Sequence, residues 1–299
     1  MDNNNTYSTT ISTDQIRFGK LTDYMLLVKL RLSLVVVFSS LLGYLIASDG
    51  QGNLQSALLL VFGGLLVTFA ANALNQVLEK DFDILMTRTA NRPVATGRMK
   101  ASEAVMFAGI ACLVGISVLA LFNPITALLG MISLILYSFV YTPLKRYSTI
   151  AVAVGAIPGA LPVMIGSTAF SGNITMMAIC LFAIQFLWQF PHFWSIGFLG
   201  YEDYKKAGYK LLPEGSSGID RNLGLSSMFY ASLIIPLSLF IFIRLDVSIL
   251  STASICILSI FYVFLGYNMH RKFDRSSALA LMFYSFLYLP LVLFSYWLI

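Results

Sequence analysis

Charge is what this sequence has least of. Only 11% of its 299 residues are Asp, Glu, Lys or Arg, whereas 58% are apolar, and the mean hydropathy is +0.81. A water-soluble α/β domain interrupts its apolar runs with charge, Gly and Pro every few residues; such breaks are missing, which excludes that class. Histidine occurs twice and cysteine three times. Cys112, Cys180 and Cys256 lie inside apolar runs at unrelated spacings, which argues against a disulfide framework or a thiolate metal site and leaves them as packing residues. The first sixteen residues, MDNNNTYSTTISTDQI, contain no Lys or Arg and so resemble neither a secretory signal nor an Arg-rich transit peptide. No segment is polar and long enough to fold as a separate soluble domain, and no fixed repeat or low-complexity tract is found.

What is present is one long apolar segment after another. Windows fall near 32–48, 55–78, 103–121, 125–143, 149–169, 174–198, 225–243, 247–267 and 278–298, each close to the roughly 17 to 25 residues that cross a lipid bilayer. The pattern predicts an all-α polytopic membrane protein with nine transmembrane helices. It has two parts: a flexible N-terminal segment over residues 1–20 and a single membrane domain over 21–299. Lys and Arg are retained on the cytoplasmic side of short loops. With a cytoplasmic N-terminus, all 19 Lys and Arg except Arg244 fall on the cytoplasmic face, and the C-terminus lies outside with Trp297 at the interface. The simplest location is a bacterial inner membrane. This bias accounts for the net charge of +5 and gives no reason to invoke nucleic acid as a partner. Gly155, Pro158, Gly159, Pro162 and Gly166 predict a kinked or closely packed fifth span.

The scarce charges are not spread evenly. NQVLEKDFDILMTRTANRP, residues 75–93, follows the second apolar run with no turn signal between. Read as a continuing helix, Asn75, Glu79 and Asp83 are spaced by four, so each step turns by about 40° and climbs about 6 Å, placing them on one stripe. Like charges on a stripe repel, and a divalent cation reverses the sign. Carboxylate and amide oxygens suit Mg²⁺, which completes its shell with water and phosphate oxygens. Asp81 points off the stripe. Arg88 and Arg92 supply guanidinium forks that match phosphate. Tyr141 and Lys145 in YTPLKR, Lys29 and Arg31 in KLR, and Glu202 and Asp203 in YEDYKKAGYKLLP reach the same face. Carboxylates, a metal and a ring of cations describe a diphosphate site. The acids gather at one face rather than at the bilayer midplane, which favours an enzyme over a transporter. His192 in WQFPHFW is a packing histidine or a ligand contact, with Gln189 nearly one turn away.

In order and spacing, N-Q-x-x-E-x-x-x-D-x-x-x-x-R-T-x-N-R-P, YTPLKR followed by VGAIPGALPVMIG, WQFPHFW and EDYKKAGYKLLP resemble the protohaem IX farnesyltransferases, a branch of the UbiA-type intramembrane prenyltransferases. The resemblance covers about residues 20 to 295. It implies nine helices around a central cavity, capped by the loops after the second and sixth spans, and transfer of a farnesyl group from farnesyl diphosphate to a haem B vinyl group. The product is haem O, used in haem–copper oxidase biogenesis. Carried over residue by residue, it implies that Asn75, Glu79, Asp83, Lys145 and Asp203 are catalytic and that Asn75, Glu79, Asp83, Glu202 and Asp203 hold Mg²⁺. Arg31, Arg88, Arg92, Tyr141 and Lys145 would bind the diphosphate, and His192 with Gln189 would contact haem. It leaves open whether proteins of haem A synthesis or oxidase assembly dock on the chain. Two departures stand out. Gln76 and Glu79 occupy positions where the wider family has Asn or Asp and Asp, and the second acidic motif is reduced to Glu202 and Asp203. A UbiA-type enzyme acting on an aromatic quinone precursor is the alternative.

Overall fold

The computed structural model describes residues 19–216 and 218–298, so the expected flexible segment over residues 1–20 lies outside the described residues except for Gly19 and Lys20. Among the described residues nine helices are long and apolar enough to cross a membrane. A short helix, α1 (Lys20–Leu27), precedes them. The spans are α2 (Leu30–Ser48), α3 (Leu54–Asp83), α4 (Ala101–Ala120), α5 (Pro124–Leu144), α6 (Ala151–Ser171) and α7 (Met176–Leu199), then, after the small helix α8 (Tyr201–Lys206) and the two-stranded hairpin β1–β2 (Glu214–Gly215 with Gly218–Ile219), α9 (Leu223–Leu245), α10 (Ile249–Lys272) and α11 (Arg275–Leu298). The chain is a multi-pass membrane protein.

Four helices that begin on the cation-poor face are capped in the same manner. Asn53, Asn123, Thr175 and Ser248 accept hydrogen bonds from the backbone N–H three residues on, which starts α3, α5, α7 and α10. At the other face α3 runs past its apolar window. Its 30 residues give about 45 Å of helix, longer than the roughly 30 Å hydrocarbon core, so the last turns emerge with their acids.

α6 is the central element: 78% of its apolar window is buried, against 22–50% for the other spans. Its prolines cannot donate to the preceding turn, so Pro162 leaves the Pro158 carbonyl without its helical donor, and side chains of neighbouring spans reach this carbonyl and two others close by. Ser133 of α5 donates to Pro158 O at 3.3 Å, Gln189 of α7 to Ala156 O at 2.9 Å, and Gln185 to Gly159 O at 3.0 Å. Its glycines permit close approach. A methyl on Gly166 would run into the Ser40 carbonyl of α2, and one on Gly43 of α2 into the Val163 carbonyl. The fifth span is thus closely packed, as its composition predicts.

Near its end α5 widens into a π-helical segment, Leu136–Tyr141, just before Pro143, which has no N–H for the regular ladder; Tyr137 O accepts from both the backbone N–H and the Oγ1 of Thr142. The widened turn re-aims Tyr141, Thr142 and Lys145. α1 lies against the basic face, tied by an Asp23–Arg98 ion pair at 2.9 Å and by Tyr24 donating to Glu103 at 2.9 Å, with Leu21 and Met25 exposed as an interfacial helix requires.

Gly166→Ala or Gly43→Ala is expected to lower the thermal midpoint in detergent by several degrees, whereas Gly109→Ala, with nothing within 4 Å of the added carbon, leaves it unchanged. Equal midpoints for all three would remove the α2–α6 approach as a determinant of stability.

Candidate active site

The inner stripe of α3 is polar from Asn72 to Asp83. Asn72, Asn75, Gln76, Glu79 and Asp83 are all buried, with Glu79 4% and Asp83 0% exposed. Carboxylates that deep need partners, and each has one. Arg92 Nη1 donates to both Asp83 oxygens at 2.7 Å and lies 3.7 Å from Glu79 Oε2. Lys145 pairs with Glu79, its ammonium 4.8 Å from the Tyr141 ring and 5.4 Å from the Tyr209 ring. Lys29 donates to Asn75 Oδ1 at 2.9 Å, and Asn75 Nδ2 donates to Thr142 Oγ1 at 3.1 Å. Four segments meet here: the α1–α2 junction, α3, the turns after α3 and the end of α5.

The junction is built for this purpose. Lys29 adopts the left-handed conformation at φ 47°, costly for a residue with a Cβ. It is held there by the α3 amides: Gln76 donates to Leu26 O and Leu27 O at 2.8 and 3.1 Å, and Asn72 to Val28 O at 3.2 Å. The family departure at Gln76 therefore has a local explanation, since this side chain caps α1. Burial pushes the Lys29 ammonium well below the usual lysine range, and Arg92 nearby adds to that. Burial likewise pushes the Tyr209 phenol up, with the Glu79 and Asp83 carboxylates contributing.

Arg92 and Lys145 balance Glu79 and Asp83, and protonation of Lys29, which burial opposes, brings the cluster to one net positive charge. A polyanion relieves that excess, and guanidinium and ammonium donors match phosphate oxygens. The oxygen donors of Asn75, Glu79 and Asp83 suit a hard cation such as Mg²⁺. Among the described residues no three His, Cys, Asp or Glu side chains gather as a preformed metal cluster. The carboxylates instead hold cations, which a diphosphate can draw away. A cavity of about 100 Å³ opens beside Glu79, lined by Phe82, Ser138, Thr142, Arg146 and Tyr209 among others.

Other residues singled out by sequence lie apart from this cluster. Arg88 is exposed and donates to Tyr204 OH at 3.1 Å, towards α8. Arg31 is exposed, with no polar partner among the described residues; helix rotation turns it outward while Lys29 faces in. Glu202 is exposed, and Asp203 accepts from Thr87 at 3.2 Å, so α8 joins the turns after α3 without adding a carboxylate to the Glu79–Asp83 cluster. Asp81 is exposed. Gln189 is 2% exposed and donates to backbone carbonyls of α6 and α7. His192 lies in α7 with Nδ1 2.7 Å from Ser285 Oγ of α11. Asn72, Thr142 and Tyr209 join the site unannounced. Asn72 extends the α3 stripe by one step of three, a legible signal; Tyr209, in a loop, has none.

Residues 36–287 match the UbiA prenyltransferase family. The chain belongs to that family. Among UbiA relatives it is 42% identical over 271 residues to the protoheme IX farnesyltransferase of Cytophaga hutchinsonii, covering 90% of this chain and 94% of that one. It is 39% identical over 278 residues to that of Flavobacterium psychrophilum, covering 90% and 91%. The UbiA fold is shared with a digeranylgeranylglyceryl phosphate synthase at TM-score 0.78 and 20% identity, covering 93% of this chain and 97% of that one. A UbiA homolog from Archaeoglobus fulgidus, bound to GPP and Mg²⁺, superposes at TM-score 0.67 and 17% identity, covering 93% and 100%.

Lys29→Ala is expected to weaken prenyl diphosphate binding more than Arg31→Ala does, measured by calorimetry in lipid nanodiscs; the reverse order would return the role to Arg31. Asp83→Asn should lower turnover by roughly 10²- to 10³-fold with the bundle still assembled, and full activity would discard the charge cluster as catalytic.

Proposed function

We propose that the protein is a haem B farnesyltransferase of a bacterial inner membrane, with its N-terminus cytoplasmic. It joins farnesyl diphosphate, haem B and water to make haem O for haem–copper oxidase biogenesis. The observation that carries the reaction class is the buried cluster of Lys29, Arg92 and Lys145 around Asn75, Glu79 and Asp83. The choice of haem as acceptor is supported by the 42% identity to a chain named protoheme IX farnesyltransferase across nearly the whole of both.

Arg92, Lys145 and Lys29 offer donors to the diphosphate oxygens, with Arg88 and Tyr141 nearby at the same face. When bound, Mg²⁺ would be held by Asn75, Glu79 and Asp83, with Glu202 and Asp203 available at the rim, and would supply positive charge to the departing diphosphate. As the cations turn to phosphate, the carboxylate oxygens they now occupy are released. The allylic C–O bond breaks and its electron pair leaves with the diphosphate. The terminal carbon of a haem vinyl group then attacks the farnesyl cation, forming a C–C bond and moving the positive charge next to the porphyrin ring. Water captures that cation and loses a proton, leaving a hydroxyethylfarnesyl side chain. Phe82, Phe139 and Tyr209, which line the cavity beside Glu79, offer aromatic walls that stabilise the cation and exclude bulk water.

Purified protein in nanodiscs, incubated with haem B, farnesyl diphosphate and Mg²⁺, is expected to yield haem O by mass spectrometry. A chelator should stop turnover and added Mg²⁺ should restore it. Product from 4-hydroxybenzoate with none from haem would move the acceptor to an aromatic quinone precursor.

A further inference from the structure

The charge cluster accounts for the diphosphate, and a porphyrin needs a second address. His192 stacks on Trp188, one turn earlier in α7, at 4.7 Å and 17°, and meets Phe286 of α11 edge-on at 5.2 Å. Its Nδ1 lies 2.7 Å from Ser285 Oγ. A serine hydroxyl has a single proton, and Ser285 donates it to Met282 O at 2.5 Å within its own helix. With its proton on Met282 O the hydroxyl accepts towards His192, which places the imidazole proton on Nδ1 and leaves Nε2 as the lone-pair nitrogen; among the described residues Nε2 has no hydrogen-bond partner.

The arrangement is braced from three helices. Trp188 Nε1 donates to Ser285 O at 2.9 Å, and Tyr262 OH of α10 donates to Trp188 O at 3.1 Å, so the serine and the histidine cannot drift independently. His192 is half-buried, and Nε2 is not among the buried polar atoms that lack a partner, so it stays open to an incoming ligand. An imidazole that donates through one nitrogen and keeps the other free is how proteins present a histidine to a metal.

We propose that Ser285 is a positioning residue that holds His192 in the Nδ1–H tautomer, so that Nε2 is an axial ligand to the iron of the haem substrate. This rests on the haem reading above. Ligation fixes the centre of the porphyrin and leaves its vinyl edge free to meet the prenyl group.

The test is an optical titration of the full chain in nanodiscs with ferric haem B. Wild type is expected to give a histidine-ligated spectrum. His192→Gly should lose it, and exogenous imidazole should restore it. Ser285→Ala should weaken haem binding by roughly 10- to 100-fold, and Ser285→Thr, which keeps the hydroxyl, should recover most of that. Farnesyl diphosphate binding, followed by calorimetry with Mg²⁺, should stay at the wild-type level in all three variants. A wild-type haem spectrum in His192→Gly, or unchanged haem affinity in Ser285→Ala, overturns the inference. So does a parallel loss of both ligands that imidazole fails to reverse. Haem O formation by wild type alongside either result would leave the proposed function standing; a wild-type chain that binds farnesyl diphosphate and no haem would overturn both.

Discussion

Two carboxylates buried at the emerging end of a membrane helix set the terms for the rest of this molecule. Glu79 and Asp83 are almost completely shielded from solvent, and taking a carboxylate out of water costs on the order of several kcal/mol even after relaxation. The cost is met by cations, and each cation comes from a different part of the chain. Arg92 is delivered by the compact turns that follow α3. Lys145 arrives through the π-helical end of α5. Lys29, which holds the neighbouring Asn75, needs a left-handed residue between α1 and α2. These three local irregularities share this one cause.

A second economy concerns the backbone. In hydrocarbon an unpaired carbonyl is expensive, and two places in the fold create them: the prolines of α6 and the end of α1. Amide and hydroxyl side chains embedded in neighbouring spans reach across to both. Gln185, Gln189 and Ser133 serve α6, while Asn72 and Gln76 serve α1. The buried amides Asn72, Gln76, Gln185 and Gln189 are thereby accounted for as support for another helix, whereas serines such as Ser227 and Ser238 bond within their own. The groups whose free atoms face one another around Glu79, and the bare nitrogen of His192, are set apart by contrast.

The nine spans were legible because length and hydropathy are one-dimensional properties, and the α3 stripe because spacing by four is a helical property. The close packing of α6 was legible from its Gly and Pro. Which cation meets which acid was not. Arg88 and Arg92 are four apart in the sequence, but α3 ends at Asp83, and in the turns beyond it the two guanidiniums point to different partners. Lys29 and Arg31 could not be ranked without the left-handed residue that swings one in and the other out. Gln189 stands out in the sequence because it lies nearly one turn from His192; in the structure its amide donates to backbone carbonyls of α6 and α7. Tyr209 gave no signal, since its burial follows from a loop folding over the charge cluster.

The order of these contacts along the chain bears on how the protein is made. Every charged member of the α3 cluster lies between residues 29 and 145, so a chain entering the membrane in sequence can neutralise its buried acids once the fourth span, α5, is in place. The bridges from Trp188 and His192 to Ser285 join residues nearly a hundred apart and close only when the last span arrives. Assembly would then proceed in two stages, the charged half settling first and serving as a template for the aromatic half.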